Sequence, residues 1–353
     1  MVKVRGMFAG SNSGLGFHSL FDYVIGPGAR QIFLLKGGPG TGKSKFMKDA
    51  AAALKKEGIS QEQFFCSSDP NSLDAVAFPQ LKVALIDATA PHSRQAQLPG
   101  CRDQLVCLGN FWSPTGLTSQ RGEIEAKFRL RKDFFTVAFR YLQAARILEE
   151  NVAARNKRLK KGPFGDPELE EIIRDHRNDD SGEGFCRHLF ASAITPEGYI
   201  SHVPGLAADF SQIYVLKGPL GTGKSEYLAR LVNCACFHGC NVEVFHSPLD
   251  PRKILHVFFL GLDLAVLTAD SRENLKEVPG KTLHCQLGLP SWENQEDNEL
   301  SRGLFLKGVE ALQGAREVHQ ELEKSYAAYM DFEALSRYTQ GVLEQILSYK
   351  NLS

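Results

Sequence analysis

Short unbroken apolar runs alternate along this chain with segments whose apolar positions recur three and four residues apart. "RQIFLLKG", ending at Gly37, is one such run and predicts a buried strand. From Lys43, "KSKFMKDAAAALKKEG" puts Phe46, Met47, Ala50, Ala51 and Leu54 on one face and stops at Gly58, which predicts an amphipathic helix with a C-terminal glycine. "EQFFCSS" predicts a second strand, and "LKVALIDAT" a third that is apolar at consecutive positions, as a strand buried on both faces of a parallel sheet would be. This order predicts an α/β fold, a parallel sheet flanked by helices. The region from Gln120 to Lys161, and "GVEALQGAREVHQELEKSYAAYMDFEAL" near the C-terminus, keep apolar residues at helical spacing and read as helical segments of a domain core.

The same pattern occurs twice. "QIFLLKGGPGTGKS" at 31–44 aligns without gaps on "QIYVLKGPLGTGKS" at 212–225, with ten of fourteen positions identical. Upstream, "RGMFAGSNSGLGF" from Arg5 pairs with "RHLFASAITPEGY" from Arg187. Downstream, "PGCRDQLVCLGNFW" resembles "PGKTLHCQLGLPSW", and "LQAAR" at 142–146 recurs as "LQGAR" at 312–316. A period near 180 residues is a domain duplication and not a solenoid. The expected organisation is a first domain over 1–160, a linker over 161–184 where a basic run gives way to an acidic, Gly- and Pro-bearing stretch, and a second domain over 185–353.

Composition narrows this little. The 353 residues are 43% apolar and 23% charged, which suits a folded globular chain long enough for two cores. The 41 basic and 41 acidic side chains cancel, so no global field favours nucleic acid or an anionic membrane. The longest apolar stretch, "ILHVFFLGLDLAVLT", is too short to span a bilayer and carries Asp263, and no secretory signal stands at the N-terminus; a cytoplasmic protein is expected. The eight cysteines then read as thiols, and "CACFHGC" as the packed end of a helix in preference to a metal site.

The chemistry lies in the glycine-rich segments. G-x-x-x-x-G-K-[ST] is matched from Gly37 to Ser44 and from Gly218 to Ser225, each time after a predicted strand and before a predicted helix. In the first copy Gly37, Gly38, Gly40, Thr41 and Gly42 would wrap backbone N–H groups around phosphate, as Gly218, Gly221, Thr222 and Gly223 would in the second. Lys43 and Lys224 would reach the β- and γ-phosphates, and Ser44 and Ser225 would offer a hydroxyl to Mg²⁺. Asp87, ending the third strand, supplies the carboxylate that orients the metal. At the same offset of 181 the second half has Thr268, with Asp263 and Asp270 nearby but out of register. Its "DPRKILHV" is read with His256 in the place of Asp74. Asp69 and Asp250, beyond their strands, either overlook a ligand or start helices, and His92 and Arg94 are candidates to face the γ-phosphate. No glutamate follows Asp87 directly, which predicts slow turnover.

"GGPGTGKS", "SSDPNSLD" with "DATAPH", and "HQELEKSYAAYMDFEAL" together resemble a family of tandem P-loop ATPases known mainly from spore-forming Firmicutes. The resemblance covers nearly the whole chain and implies ATP binding and two P-loop domains. Three activities follow as expectations: slow Mg²⁺-dependent ATP hydrolysis at the first site with a second, mainly binding site; a small-molecule kinase; or a nucleotide-gated module for a protein partner not identified by sequence.

Overall fold

The computed structural model describes residues 2–352 apart from 93, 161, 163, 176–183, 274, 276–277 and 286–294. The first half runs β1 (Val4–Met7), β2 (Gly10–Ser13), β3 (Gly16–Ser19), β4 (Gln31–Lys36), α1 (Lys43–Lys56), β5 (Gln61–Phe65), β6 (Leu73–Phe78), β7 (Val83–Asp87), β8 (Asp103–Cys107), α2 (Pro114–Ser119) and α3 (Arg121–Arg158). A short helix, α4 (Pro167–Asp175), leads to the second half. There the order is β9 (Cys186–Leu189), β10 (Ser192–Thr195), β11 (Gly198–Ser201), α5 (Val203–Ala207), β12 (Gln212–Lys217), α6 (Lys224–Phe237), β13 (Val242–His246), β14 (Ile254–Phe259), β15 (Leu264–Thr268), β16 (Lys281–His284), α7 (Gln295–Ala327) and α8 (Phe332–Ser348).

The fold is α/β, but its sheets are mixed and not parallel. The first has the order β1-β5-β6-β7-β4-β8 and the second β16-β12-β15-β14-β13-β9. In each, one strand absent from the sequence reading (β6 or β14) runs antiparallel to both its neighbours. Every residue of β6 is buried, and unbroken apolarity reports two-sided burial without reporting direction. A short connection from β5 leaves room only for an antiparallel return.

The inner faces of the two sheets share one core. Ile32 and Leu34 of β4 and Ile86 of β7 belong to the same buried cluster as Val215 of β12 and Leu267 of β15. Helices cover the outer faces: α1 and α8 over the first sheet, α6 and α4 over the second. The small sheet β11-β10-β2-β3 ties the halves together at Asn12 and Ile194.

Two features show that the halves interpenetrate. Residues 167–175, expected as linker, form α4, whose Leu169 and Ile173 are fully buried in the second half's core. The C-terminal α8 correspondingly packs Leu335, Val342 and Ile346 on the first half. The helical segments do not close each half on itself. The long helices α3 and α7 pack antiparallel through Ala138, Leu142 and Ala145 against Phe305, Val309 and Leu312. The remaining linker positions 161, 163 and 176–183, and the end of the "PGKTLHCQLGLPSW" repeat, lie outside the described residues.

Between the halves sits a ring of four buried charges. Arg5 of β1 reaches Glu62 at 3.1 Å and Glu243 at 2.5 Å, and Arg187 of β9 reaches Glu62 at 2.7 Å and Glu243 at 3.2 Å. Each arginine thus bridges its own half and the other.

Imidazoles cluster nearby. His188 Nδ1 and His246 Nε2 are 2.8 Å apart, and burial lowers the pKa of His18, His188 and His202, and takes that of His246 down to about 4. The unfolded chain takes up these protons below its ordinary imidazole value of about 6.5, whereas folded His246 resists until about 4. Stability is therefore full above pH 6.5 and lost as pH falls between those limits. Thermal unfolding at pH 7.5 and pH 5.0 should show a drop of several degrees, before most carboxylates titrate; an unchanged midpoint would sink this account.

Among the described residues no helix is long and apolar enough to cross a membrane.

Candidate functional site

Each glycine loop joins the C-terminal end of β4 or β12, the strand next to one edge of its sheet, to the N-terminus of the following helix. Gly42 and Gly223 stand at the helix N-caps with φ of 77° and 93°, a left-handed turn that an L side chain resists. Thr41 and Thr222 brace the loops from inside, their hydroxyls donating to Gly38 O and Pro219 O, both at 2.9 Å.

At the first loop, the Lys43 ammonium donates to Gly37 O at 2.6 Å and Gly38 O at 2.9 Å and lies 3.7 Å from Asp87 Oδ2. Pairing of Leu35 with Asp87 across β4 and β7 sets that carboxylate beside the loop. Asp87 Oδ1 also accepts from Thr89 N at 2.8 Å. The Ser44 hydroxyl accepts from Leu73 N at 3.0 Å, which ties the start of α1 to the start of β6. Lys43 and Asp87 therefore meet at the loop, with Ser44 next to Lys43 in the first turn of α1.

A residue given no role by the sequence reading joins them. Asp74 on β6, Asp87 and His92 bring ligand-type atoms within 4.8 Å of one another. Asp74 Oδ1 is 3.5 Å from His92 Nε2, and burial raises the Asp74 pKa, with Asp87 adding repulsion and His92 opposing it. His92 is wedged between the rings of Phe17 and Phe21 at 5.4 and 4.6 Å. Asp74 was hidden because β6 was; once the strand is recognised, alternation puts Asp74 on the face of Val76, opposite Ala75. Arg94 is committed elsewhere, donating to Phe21 O at 2.7 Å. Asp69 accepts from Ser72 Oγ at 2.5 Å and Asn71 N at 3.3 Å, a turn-forming arrangement.

At the second loop, Lys224 donates to Gly218 O and to Pro219 O at 2.8 Å, and Ser225 Oγ accepts from Ile254 N at 2.9 Å, as in the first copy. Leu216 pairs with Thr268, the register position of Asp87. The Thr268 hydroxyl is buried with no hydrogen-bond partner among the described residues. The strand pairs correct one assignment: Phe245 faces His256 as Phe64 faces Ala75, so His256 occupies the Ala75 position and Leu255 that of Asp74. His256 accordingly points to the inner face, 3.6 Å from Glu273, the counterpart of His92. Asp263 lies at the far end of β15, accepting from Ser211. Asp270 lines the cleft with Lys224 and Ser225 but is paired to Arg272 at 3.1 Å, which also holds Glu149 of α3 at 2.9 Å. Asp250 pairs with Arg252 at 2.7 Å.

The second cleft encloses about 1430 Å³ and is lined by the loop, Glu149, Ala153 and Asn156 of α3, and Phe305 of α7. Burial lowers the Lys224 pKa. Lys160, just past α3, brings a second ammonium so close to Gly223 that any side chain there would collide with its Nζ.

Each loop is roofed by the other half's long helix. A Cβ on Gly40 would meet Glu323 O of α7 at 2.5 Å, and one on Gly221 would run into Ala153 O of α3. The "LQAAR"/"LQGAR" alignment makes Ala153 and Glu323 equivalent, so the exchange is reciprocal. Asn156 Nδ2 fastens the contact by donating to Leu220 O at 2.8 Å. Because Gly221 has φ +81° and faces backbone, Gly221→Ala should displace α3 from this loop. A loss of roughly 2–4 kcal/mol in urea unfolding is expected, and a stability equal to that of the unmodified protein would remove the contact from consideration.

In "CACFHGC", Cys240 is buried in the second half's core, Cys234 and Cys236 pack against it, and His238 Nδ1 lies 2.8 Å from Cys234 O. No protein-family model, curated protein or solved structure matches the chain.

Proposed function

We propose that this chain is an ATP-binding P-loop NTPase with two nucleotide sites in tandem: the first hydrolyses ATP slowly with Mg²⁺, and the second mainly binds. The observation that carries the reading is the placement of the Asp87 carboxylate 3.7 Å from Lys43, with Ser44 beside that lysine in the first turn of α1, on a glycine loop at a helix N-terminus.

The donor set suits Mg²⁺, a hard cation that takes oxygen ligands. Ser44 Oγ and the Asp87 carboxylate would hold it, with the buried Asp74 carboxylate close behind. When bound, Mg²⁺ supplies positive charge to the β- and γ-phosphate oxygens. The chain's own contribution is orientation. Backbone N–H groups at the start of α1 would face the phosphates, Lys43 would add a cation, and α7 with Trp112, which backs Gly38, would limit the entry of water.

The second copy keeps the loop, lysine and serine but has Leu255 and Thr268 where the first has Asp74 and Asp87, and Asp270 is engaged by Arg272. With Lys224 and Lys160 beside the loop, it is suited to holding a polyphosphate more than to transferring one.

Displacement of a fluorescent ATP analogue by ATP and GTP, combined with phosphate release, tests the reading. ATP should compete at lower concentration than GTP, and phosphate should appear without any acceptor. Release of ADP only when an acceptor is added would make the protein a kinase, and binding without turnover would make it a nucleotide-gated module.

A further inference from the structure

The reciprocal roofing makes positions on α3 and α7 comparable site by site. One helical turn before the loop contact, α3 carries Glu149 and α7 carries His319, equivalent by the same alignment that pairs Ala153 with Glu323. Glu149 lines the second cleft together with Lys224 and Ser225. By that equivalence His319 stands to the first loop as Glu149 stands to the second, one turn before the residue whose carbonyl approaches Gly40.

Its surroundings agree with that placement. Arg131 of α3 lies 2.7 Å from His319 Nδ1, and a guanidinium can only donate, so Nδ1 is the acceptor and the ring proton sits on Nε2. Nε2 points toward Glu323 at 3.7 Å, the residue whose carbonyl approaches Gly40. Burial, then the charges of Arg131 and Lys43, lower the imidazole to about 4, with Asp69 and Asp87 acting in the opposite sense, so the ring is neutral near pH 7 and within electrostatic reach of the loop lysine and the metal-orienting carboxylate.

Resting on the ATP-binding reading, we propose that His319 is a ligand-contacting residue of the first site, donating its Nε2–H to a terminal phosphate oxygen of ATP held on the Gly37–Ser44 loop. The first half's site is then completed by the second half of the chain. The second site has Glu149 at this position, engaged by Arg272 at 2.9 Å, and a carboxylate offers phosphate no hydrogen to accept; the difference between His319 and Glu149 adds to that between Asp87 and Thr268.

The test uses the full chain carrying Lys224→Ala, so that the first site dominates binding. Affinities for a non-hydrolysable ATP analogue and for ADP are compared by displacement of a fluorescent nucleotide, with His319→Leu (packing kept, donor lost) and His319→Gln (an amide N–H in its place). His319→Leu should lower affinity for the triphosphate analogue about tenfold and leave that for ADP within about twofold, the size of one hydrogen bond to a charged group. His319→Gln should recover most of the loss. A triphosphate-to-diphosphate preference unchanged in both variants overturns the proposal, as does an equal loss for both nucleotides, which marks a packing role. If the Lys224→Ala parent itself binds no nucleotide, the failure belongs to the ATP-binding reading.

Discussion

Asp87→Asn is expected to lower ATP turnover about a hundredfold or more while nucleotide binding survives, the usual scale for losing one preorganised electrostatic element. The substitution keeps size and polarity and removes the charge 3.7 Å from Lys43. Lys43→Ala should likewise abolish most turnover. Lys224→Ala should instead reduce occupancy to about one nucleotide per chain, with first-site turnover persisting at a rate altered through coupling between the halves. Equilibrium stoichiometry and single-turnover hydrolysis separate these outcomes. Wild-type turnover in Lys43→Ala with a dead Lys224→Ala would reverse the assignment and give Asp270 the metal.

The second large effect is on stability. Glu243→Ala should cost roughly 3–5 kcal/mol, because it leaves two largely buried guanidiniums sharing Glu62, with Asp209 at 3.6 Å the further partner of Arg5 alone. Glu243 is 1% exposed, so water cannot take the missing partner's place without opening the interface. The melting temperature should fall by about 4–7 °C. A shift under about 2 °C would mean that the ring contributes nothing net. Glu62→Ala makes an internal comparison: Glu62 also bridges Arg5 and Arg187 but is less completely buried, 6% exposed, and the loss should be smaller. Because the ring forms only when β1 and β9 come together, its loss should also loosen the two sheets from each other, visible as faster hydrogen exchange in β5 and β13.

What could be read along the chain was local. The loops, the strand before each, the helix after each and the register of Thr268 against Asp87 all rest on residues within one repeat, where spacing translates directly into geometry. Direction and partnership are not local. An unbroken apolar run such as "VALID" shows that both faces are covered, but a sheet and a helix layer cover equally well, and here one face meets the other sheet. The apolar spacing on α3 and α7 shows that each has a partner, and says nothing about which half provides it. His319 and Asp74 were missed for that reason: their relevance appears only when α7 crosses to the first loop and β6 takes its place beside β7. Within "PELEEIIRD", Leu169 and Ile173 are the one sign that a charged stretch is anchored, and charge and proline masked it.

The crossing of the long helices has a kinetic consequence. Chain growth completes α3 roughly 140 residues before α7 begins, and at about 5–20 residues per second the interval is about 7–30 s. Throughout it the stripe formed by Ala138, Leu142 and Ala145 lacks Phe305, Val309 and Leu312, and every contact that later covers it is long-range in sequence. Neighbouring nascent chains on one message present such stripes to one another, so an exchange of arms between two copies is the misassembly that this topology invites.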